Sequence, residues 1–215
     1  MLGEHERDAL HAEAEWVTYA RREQLCNEGE AAEFAIVIQE GWVKISYASA
    51  RETNTLVLRG PADIVGESAS ADQPRIATVT ALTEVRGLSV TSDQFIGFLR
   101  RYPGALRALQ RTYSDRLVES DRMRMAVGQM NGARRLARCL LQLADYFGHT
   151  EDHGSKITID GLSQEEFGQL ISASPITVVR ALKNWRLRGI VGTGPQLKIE
   201  LLDLPTLRQI AGNDR

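Results

Sequence analysis

The chain has 215 residues, 43% of them hydrophobic and 25% charged, which suits one large or two small globular domains with a sizeable core. It contains no run of eighteen apolar residues, and MLGEHERDALHAEAEW at the start is acidic and polar, so neither a membrane span nor a secretory leader is expected and the cytoplasm is the expected location. The net charge of -2 hides an asymmetry: residues 1–99 carry 8 Lys/Arg against 16 Asp/Glu, residues 100–138 carry 10 against 3, and residues 139–215 carry 8 against 9.

An acidic front half followed by a strongly basic segment implies separate tasks, although arginine on an exposed helix can also serve only as a solvated face. Cys26 and Cys139 are the two cysteines. They lie far apart without CxxC or Cys/His spacing, so no disulfide framework and no zinc or iron–sulfur site is expected, and both read as small buried residues.

Residues 4–15 carry a weak helical pattern. From Gln24 to about Val90 the runs FAIVIQEGWVKISYAS, TNTLVLRGPADIVGE and RIATVTALTEVRGLSV are rich in Val, Ile and Thr and bounded by Gly, Pro, Asn or Asp. Many short strands of this kind make a sandwich, jelly roll or barrel. From Ser92 the period shifts to about 3.6 residues. One short helix ends where Pro103 and Gly104 punctuate, and a long helical pattern then runs to about Met130. Its apolar positions Leu106, Leu109, Tyr113, Leu117, Met123, Val127 and Met130 recur at threes and fours. A helix of about 25 residues is ~40 Å long, more than one face of a small domain requires. Pairing with a second copy across this seam would bury it; the alternative lays the helix along its own β domain.

After Gly132, ARRLARCLLQLADYFG forms a further amphipathic helix, GHTEDHGSK reads as a polar loop, and ITID as a short strand. His149, His153, Glu151 and Asp152 sit in that loop without a rigid scaffold, so they read as solvated rather than as metal ligands. Ser163 precedes Glu166 by three, a capping box that starts a helix whose buried stripe is Phe167, Leu170 and Ile171. ISASP ends it, and Pro175 suits the first turn of the next helix. Val178, Ala181, Leu182 and Trp185 supply that helix's inner face, while Arg180, Lys183, Arg186 and Arg188 stand unopposed by acid. Two short helices with a basic second member meet the requirement of a helix-turn-helix, whose second helix enters the major groove near phosphate. IVGTGPQLKIELL then reads as strand, turn and strand, a β wing with Gly192, Gly194 and Pro195 at its tip.

LSQEEFGQLISAS-x-x-T-V-x-R-A-L-K, followed by RGIV and the wing, resembles the DNA-binding domain of the cyclic-AMP receptor and fumarate-nitrate regulator (CRP/FNR) family. EGEAAEFAIVIQEGWVKIS is similar to that family's early strands, and GPADIVGES with PRIATVTAL resembles its cyclic-nucleotide phosphate-binding cassette. The resemblance spans nearly the whole chain. It implies an α+β fold: an N-terminal cyclic-nucleotide-binding β-roll (double-stranded jelly roll) over 1–103, a central dimerisation helix over 104–131 and a C-terminal winged helix-turn-helix over 132–215. Enzymes on a jelly roll of the cupin type need two or three His and a carboxylate on inner strands, but His5, His11, His149 and His153 all lie outside the β-rich stretch. An iron–sulfur sensor needs four cysteines; a haem sensor stays open. A nucleotide-binding subunit of some other assembly leaves the winged helix unexplained.

The resemblance also implies site residues. Gly66 and Glu67 hold the effector's ribose, Arg75 clamps its cyclic phosphate, and backbone N–H groups near Ser68 assist. Ile76 falls where the family has a hydroxyl, and the loop from Glu67 to Arg75 is short. Ser120 and Asp121 fall where the long helix offers polar groups to the nucleobase. Cyclic AMP is the leading effector; the alternative is another effector or a degenerate pocket in which Glu67 and Arg75 pair with each other. No covalently held cofactor is implied. The partners implied are a second copy of the chain, a two-fold symmetric double-stranded DNA site with half-sites ~34 Å apart, and RNA polymerase, with a hinge near Asn131 and Gly132 coupling effector to DNA. The helix-turn-helix residues that face DNA are Ser163, Gln164, Ser174, Pro175, Ile176, Thr177, Arg180 and Lys183. The family's recognition helix opens Ser-Arg-Glu-Thr-Val-x-Arg, and its three base-reading positions are Pro175, Ile176 and Arg180 here. Two of those readers are apolar, so the target differs from the family's usual half-site and leans on phosphate and shape, with Ile176 against a thymine methyl and Ser174 or Thr177 on phosphate. Arg180→Ala should therefore cost ~1–3 kcal/mol and relax one base position, whereas Lys183→Ala or Arg186→Ala should weaken all sequences alike. Fluorescence anisotropy across operator variants distinguishes them, and a uniform loss at Arg180 would reduce it to a positioning contact.

Overall fold

The computed structural model describes residues 3–47, 55–68, 73–151, 156–194 and 198–212. The chain divides into two compact units, Met1–Ser120 and Asp121–Arg215.

The first unit opens with α1 (Glu4–Glu13) and continues through β1 (Glu15–Tyr19), β2 (Gln24–Cys26), β3 (Phe34–Glu40), β4 (Val43–Tyr47), β5 (Thr55–Arg59), β6 (Ile64–Val65), β7 (Thr78–Ala81) and β8 (Val85–Thr91). The helices α2 (Ser92–Arg101) and α3 (Pro103–Gln129) follow, α3 running on into the second unit. The strands form two four-stranded sheets, ordered β1-β8-β3-β6 and β2-β7-β4-β5, and their pairings are antiparallel. Alternation along β3 explains its unbroken apolar run FAIVI, because both of its faces are covered. Ile36 and Ile38 join Leu25, Val43, Val65, Val79 and Val85 between the sheets. Ala35 joins Leu88, Val90, Leu10, Phe95, Phe98, Ala105 and Leu109 under the helices.

The β region starts earlier than the sequence pattern indicates. EWVTY pairs with β8 from Glu15↔Ser89 to Tyr19↔Val85, yet Trp16 is 52% exposed, so the strand shows too few buried residues to stand out from the acidic stretch before it.

The second unit contains α4 (Gly132–Phe147), β9 (His149–Glu151), β10 (Lys156–Ile159), α5 (Gln164–Leu170), α6 (Pro175–Leu187), β11 (Val191–Gly194), β12 (Lys198–Leu201) and α7 (Leu204–Ala211). Its sheet is ordered β11-β12-β10-β9. Two corrections to the sequence reading arise here. The stretch read as a polar loop begins as β9, held by backbone pairing of His149 with Thr158, which leaves no trace in side-chain pattern. A further helix, α7, follows the wing and buries Leu207 and Ala211. Asp152, His153 and the wing-tip Pro195 lie outside the described residues.

Phe167, Leu136, Leu140, Leu143, Ile159, Leu182, Ile190, Leu201 and Leu207 are the large, fully buried side chains of this unit among the described residues. Cys26 is buried, while Cys139 is only partly so as a residue; burial pushes its thiol up to about 12 and leaves it inert. Among the described residues, no helix is long and apolar enough to cross a membrane, and no three His, Cys, Asp or Glu gather as metal ligands.

The turn between α5 and α6 depends on Gly168. Ala173 N–H donates to the Gly168 carbonyl at 2.8 Å, and a Cβ on Gly168 would stand 2.8 Å from the Ala173 carbonyl oxygen. Gly168→Ala should therefore destabilise this unit by about 1–3 kcal/mol, measured as a lower midpoint for the Trp185 fluorescence transition on heating; an unchanged midpoint would show that the turn relaxes freely.

Candidate effector pocket and DNA-binding surface

Beyond β6 the chain turns at Gly66 in the left-handed region, φ 75°. A Cβ there would meet Arg75 Nη1 at 2.5 Å and the Phe34 carbonyl oxygen at 3.0 Å. Only glycine allows both the backbone angle and the approach of the guanidinium. Arg75 is 3% exposed. Its Nη1 donates to the Gly66 carbonyl at 2.8 Å and its Nη2 to the Phe34 carbonyl at 2.7 Å, and the guanidinium lies 4.6 Å from the centroid of the Phe34 ring. Its backbone is pinned as well, Arg75 N–H donating to the Glu30 carbonyl and Gly29 N–H to the Arg75 carbonyl, both at 2.8 Å. Among the described residues no carboxylate pairs with Arg75.

Glu67 does not pair with Arg75. Its Oε1 accepts from Arg116 Nη1 of α3, while Arg116 Nη2 donates to the Ile64 carbonyl at 2.6 Å. Arg59, at the end of β5, pairs with Glu119 of α3 at 3.2 Å. The Nε atoms of Arg59, Arg75 and Arg116 are all buried without a hydrogen-bond partner among the described residues. Burial and the nearby Glu67 carboxylate hold the Tyr113 phenol above its ordinary value, and burial likewise raises the Cys26 thiol, against the pull of Arg75.

The structure thus brings Gly66, Glu67 and Arg75 together, with Ser68 half-buried beside them. It leaves Ile76 67% exposed. Ser120 and Asp121 are exposed on α3, Asp121 in an ion pair with Arg124 at 2.5 Å. Arg59 and Arg116 escaped the sequence reading because their partners lie far along the chain. The available signal was Arg116's place four residues, one helical turn, before Ser120.

In the second unit Ser163 Oγ accepts from Glu166 N–H at 3.1 Å while Glu166 Oε2 accepts from Ser163 N–H at 2.8 Å. Ser174 caps α6 and its Oγ lies 3.0 Å from Thr177 Oγ1. Both serine hydroxyls are therefore held by helix capping. Val178, Ala181, Leu182 and Trp185 are buried, and the opposite face exposes Pro175, Ile176, Arg180 and Lys183, as does Gln164 at the start of α5. Arg186 Nη1 donates to Thr193 Oγ1 of β11 at 3.3 Å, tying α6 to the wing strand.

Of the ten basic residues in 100–138, Arg116, Arg134, Arg135 and Arg138 are half-buried on backbone carbonyls, while Arg100, Arg101, Arg107, Arg111, Arg122 and Arg124 are exposed. Arg134 Nε and Arg138 Nε donate to the Ala211 carbonyl at 3.2 and 2.9 Å, closing the C-terminal end of α7 where cations are favoured. Arg135 Nε and Nη2 donate to Ile171 and Ser172 carbonyls of the α5–α6 turn at 2.8 and 3.1 Å. Its Nη1 reaches the Met130 and Val127 carbonyls at the end of α3, at 2.5 and 3.4 Å.

A β-roll with a buried guanidinium at a glycine turn, on the same chain as a winged helix-turn-helix with an exposed basic helix, is the architecture of a DNA-binding regulator. Residues 16–102 match the cyclic nucleotide-binding domain and residues 134–210 the Crp-like helix-turn-helix domain. The chain is 33% identical over 183 residues to the CRP-like cAMP-activated global transcriptional regulator of Mycobacterium tuberculosis, covering 84% of this chain and 81% of that one. The structure of a CRP/FNR-family transcriptional regulator from Thermus thermophilus, TTHA1359, superposes with a TM-score of 0.76 at 24% identity, covering 92% of this chain and 98% of that one. FixK2 from Bradyrhizobium japonicum gives 0.70 at 18% identity, covering 92% and 96%. The chain belongs to the CRP/FNR family of transcription regulators and is not an enzyme.

Arg135 is the junction between the end of α3 and the helix-turn-helix turn. Arg135→Ala leaves its carbonyl acceptors without their charged donor and should cost about 2–3 kcal/mol. Chemical denaturation gives that figure, and DNA affinity should fall with it; full stability in the variant would show that water replaces the guanidinium without penalty.

Proposed function

We propose that the chain acts in the cytoplasm as a homodimeric transcription regulator whose affinity for a two-fold symmetric DNA site is set by a monoanionic cyclic purine nucleotide held in the β-roll. The observation that carries this reading is Arg75: a guanidinium 3% exposed, answered only by carbonyl dipoles and an aromatic face among the described residues. Burying an unpaired charge is costly, and a single anionic group arriving beside it relieves that cost. Cyclic AMP, the nucleotide in the name of the Mycobacterium tuberculosis relative, is one such ligand.

The dimer is supported by α3, along which Leu106, Tyr113, Leu117, Met123 and Val127 are 43, 41, 67, 40 and 41% exposed. Apolar residues repeated at this spacing on a long helix are buried by pairing with a second such helix. Asn131, whose side chain caps α4 by accepting from Arg134 N–H at 2.9 Å, and Gly132 mark the break at which the helix pair would reorient the winged helices. On DNA, Arg180 serves as the bidentate base reader and Lys183 as a phosphate contact. RNA polymerase is the partner expected once the dimer sits at a promoter.

A second reading has its own support. Both terminal nitrogens of Arg75 are already used on carbonyls and Ile76 brings no hydroxyl, as befits a pocket retained only for structure and a regulator that binds DNA without effector. Calorimetric titration separates the two. Under the first, cyclic nucleotide binding is lost by about 2–5 kcal/mol in Arg75→Ala, and nucleotide raises affinity for a palindromic duplex in anisotropy. Silence at millimolar nucleotide, with equal DNA affinity in its presence and absence, selects the second, since a ligand without differential affinity shifts nothing.

A further inference from the structure

Arg59 differs from Arg75 and Arg116, the other two arginines of the first unit with a buried Nε. Its side chain is 11% exposed, and Nη1 alone is engaged, with Glu119 Oε2 at 3.2 Å and the Leu58 carbonyl at 2.8 Å. The opposite edge, Nε and Nη2, has no hydrogen-bond partner among the described residues, and Nε is fully buried. Arg75 and Arg116 each commit both terminal nitrogens. Arg59 therefore keeps an intact fork of parallel donors, the edge that binds two adjacent acceptors at once. It also stands beside the cassette: Arg116 and Glu119 are three apart and share a face of α3, so the Glu67–Arg116 and Arg59–Glu119 pairs lie about one helical turn, ~5 Å, apart along it.

Charge decides what the fork accepts. Glu119 balances Arg59 and Glu67 balances Arg116, whereas Arg75 has no carboxylate partner among the described residues. The anionic group of a ligand is drawn to Arg75, and a second anion at Arg59 would be repelled by Glu119. A neutral group with two adjacent acceptors meets no such penalty. Guanine presents O6 and N7 side by side; adenine sets an amino donor beside N7, and arginine has no acceptor to offer it.

We propose that Arg59 is a base-selecting residue and that the effector is a guanine rather than an adenine cyclic nucleotide. The proposal rests on the reading above that the β-roll binds a cyclic nucleotide.

Calorimetric titration of the full chain with cyclic GMP and cyclic AMP tests it, using the wild type, Arg59→Leu and Arg59→Lys. The wild type should bind cyclic GMP about tenfold or more tightly than cyclic AMP, and both substitutions should abolish that preference. Arg59→Lys keeps a cation opposite Glu119 and loses only the fork, so a normal thermal midpoint in this variant separates lost recognition from lost folding. Equal binding of the two nucleotides by the wild type, a preference for cyclic AMP, or a guanine preference that survives in Arg59→Lys overturns the assignment while leaving nucleotide binding in place. Heat from neither nucleotide overturns both the assignment and the reading beneath it.

Discussion

The contact between the Arg75 guanidinium and the Gly66 and Phe34 carbonyls organises the front of this molecule. It joins the turn after β6 to the start of β3 across 9 and 41 residues of sequence. The contact requires a residue without a side chain at Gly66, an aromatic face at Phe34 and a backbone clamp at Gly29 and Glu30. It also places a positive charge where water does not reach, which is unfavourable in isolation. The same arrangement that stabilises the turn thus leaves a buried cation with no carboxylate partner among the described residues.

Arginine fills a comparable role in the second unit, where guanidinium groups close the exposed carbonyls of helix ends. Arg134 and Arg138 converge on Ala211, and Arg135 gathers the end of α3 and the α5–α6 turn. The excess of basic residues between 100 and 138 is therefore divided between four arginines held on backbone carbonyls and six on the surface. On α6, Arg180 and Lys183 are exposed beside an exposed Ile176. Such a surface combines few base-edge donors with general attraction to phosphate.

Much of the architecture was legible from local rules. The capping box at Ser163, Pro175 at the first turn of α6 and the inward stripe through Trp185 follow from helix chemistry, and the structure has each of them. Gly66, Glu67 and Arg75 were singled out only through family resemblance, since no periodicity marks them; the Gly66–Arg75 contact is in the structure. Illegible were β1 and β9, whose strands are held by backbone pairing with little buried side chain, and Arg116 and Arg135, whose acceptors lie on other elements.

By itself the sequence determined the type, order and buried face of its strongly patterned elements, β3 to β8 and α2 to α6, because those depend on residue spacing within one helix or strand; β1, β9 and α7 were not among them. Tertiary structure alone decided which charge answers which. Glu67 meets Arg116 from 49 residues away, Arg59 meets Glu119, and Arg75 is left without a carboxylate among the described residues. Ion pairs of this kind act over a few ångströms and depend on the through-space packing of β5, β6 and α3, which no local pattern of residues encodes.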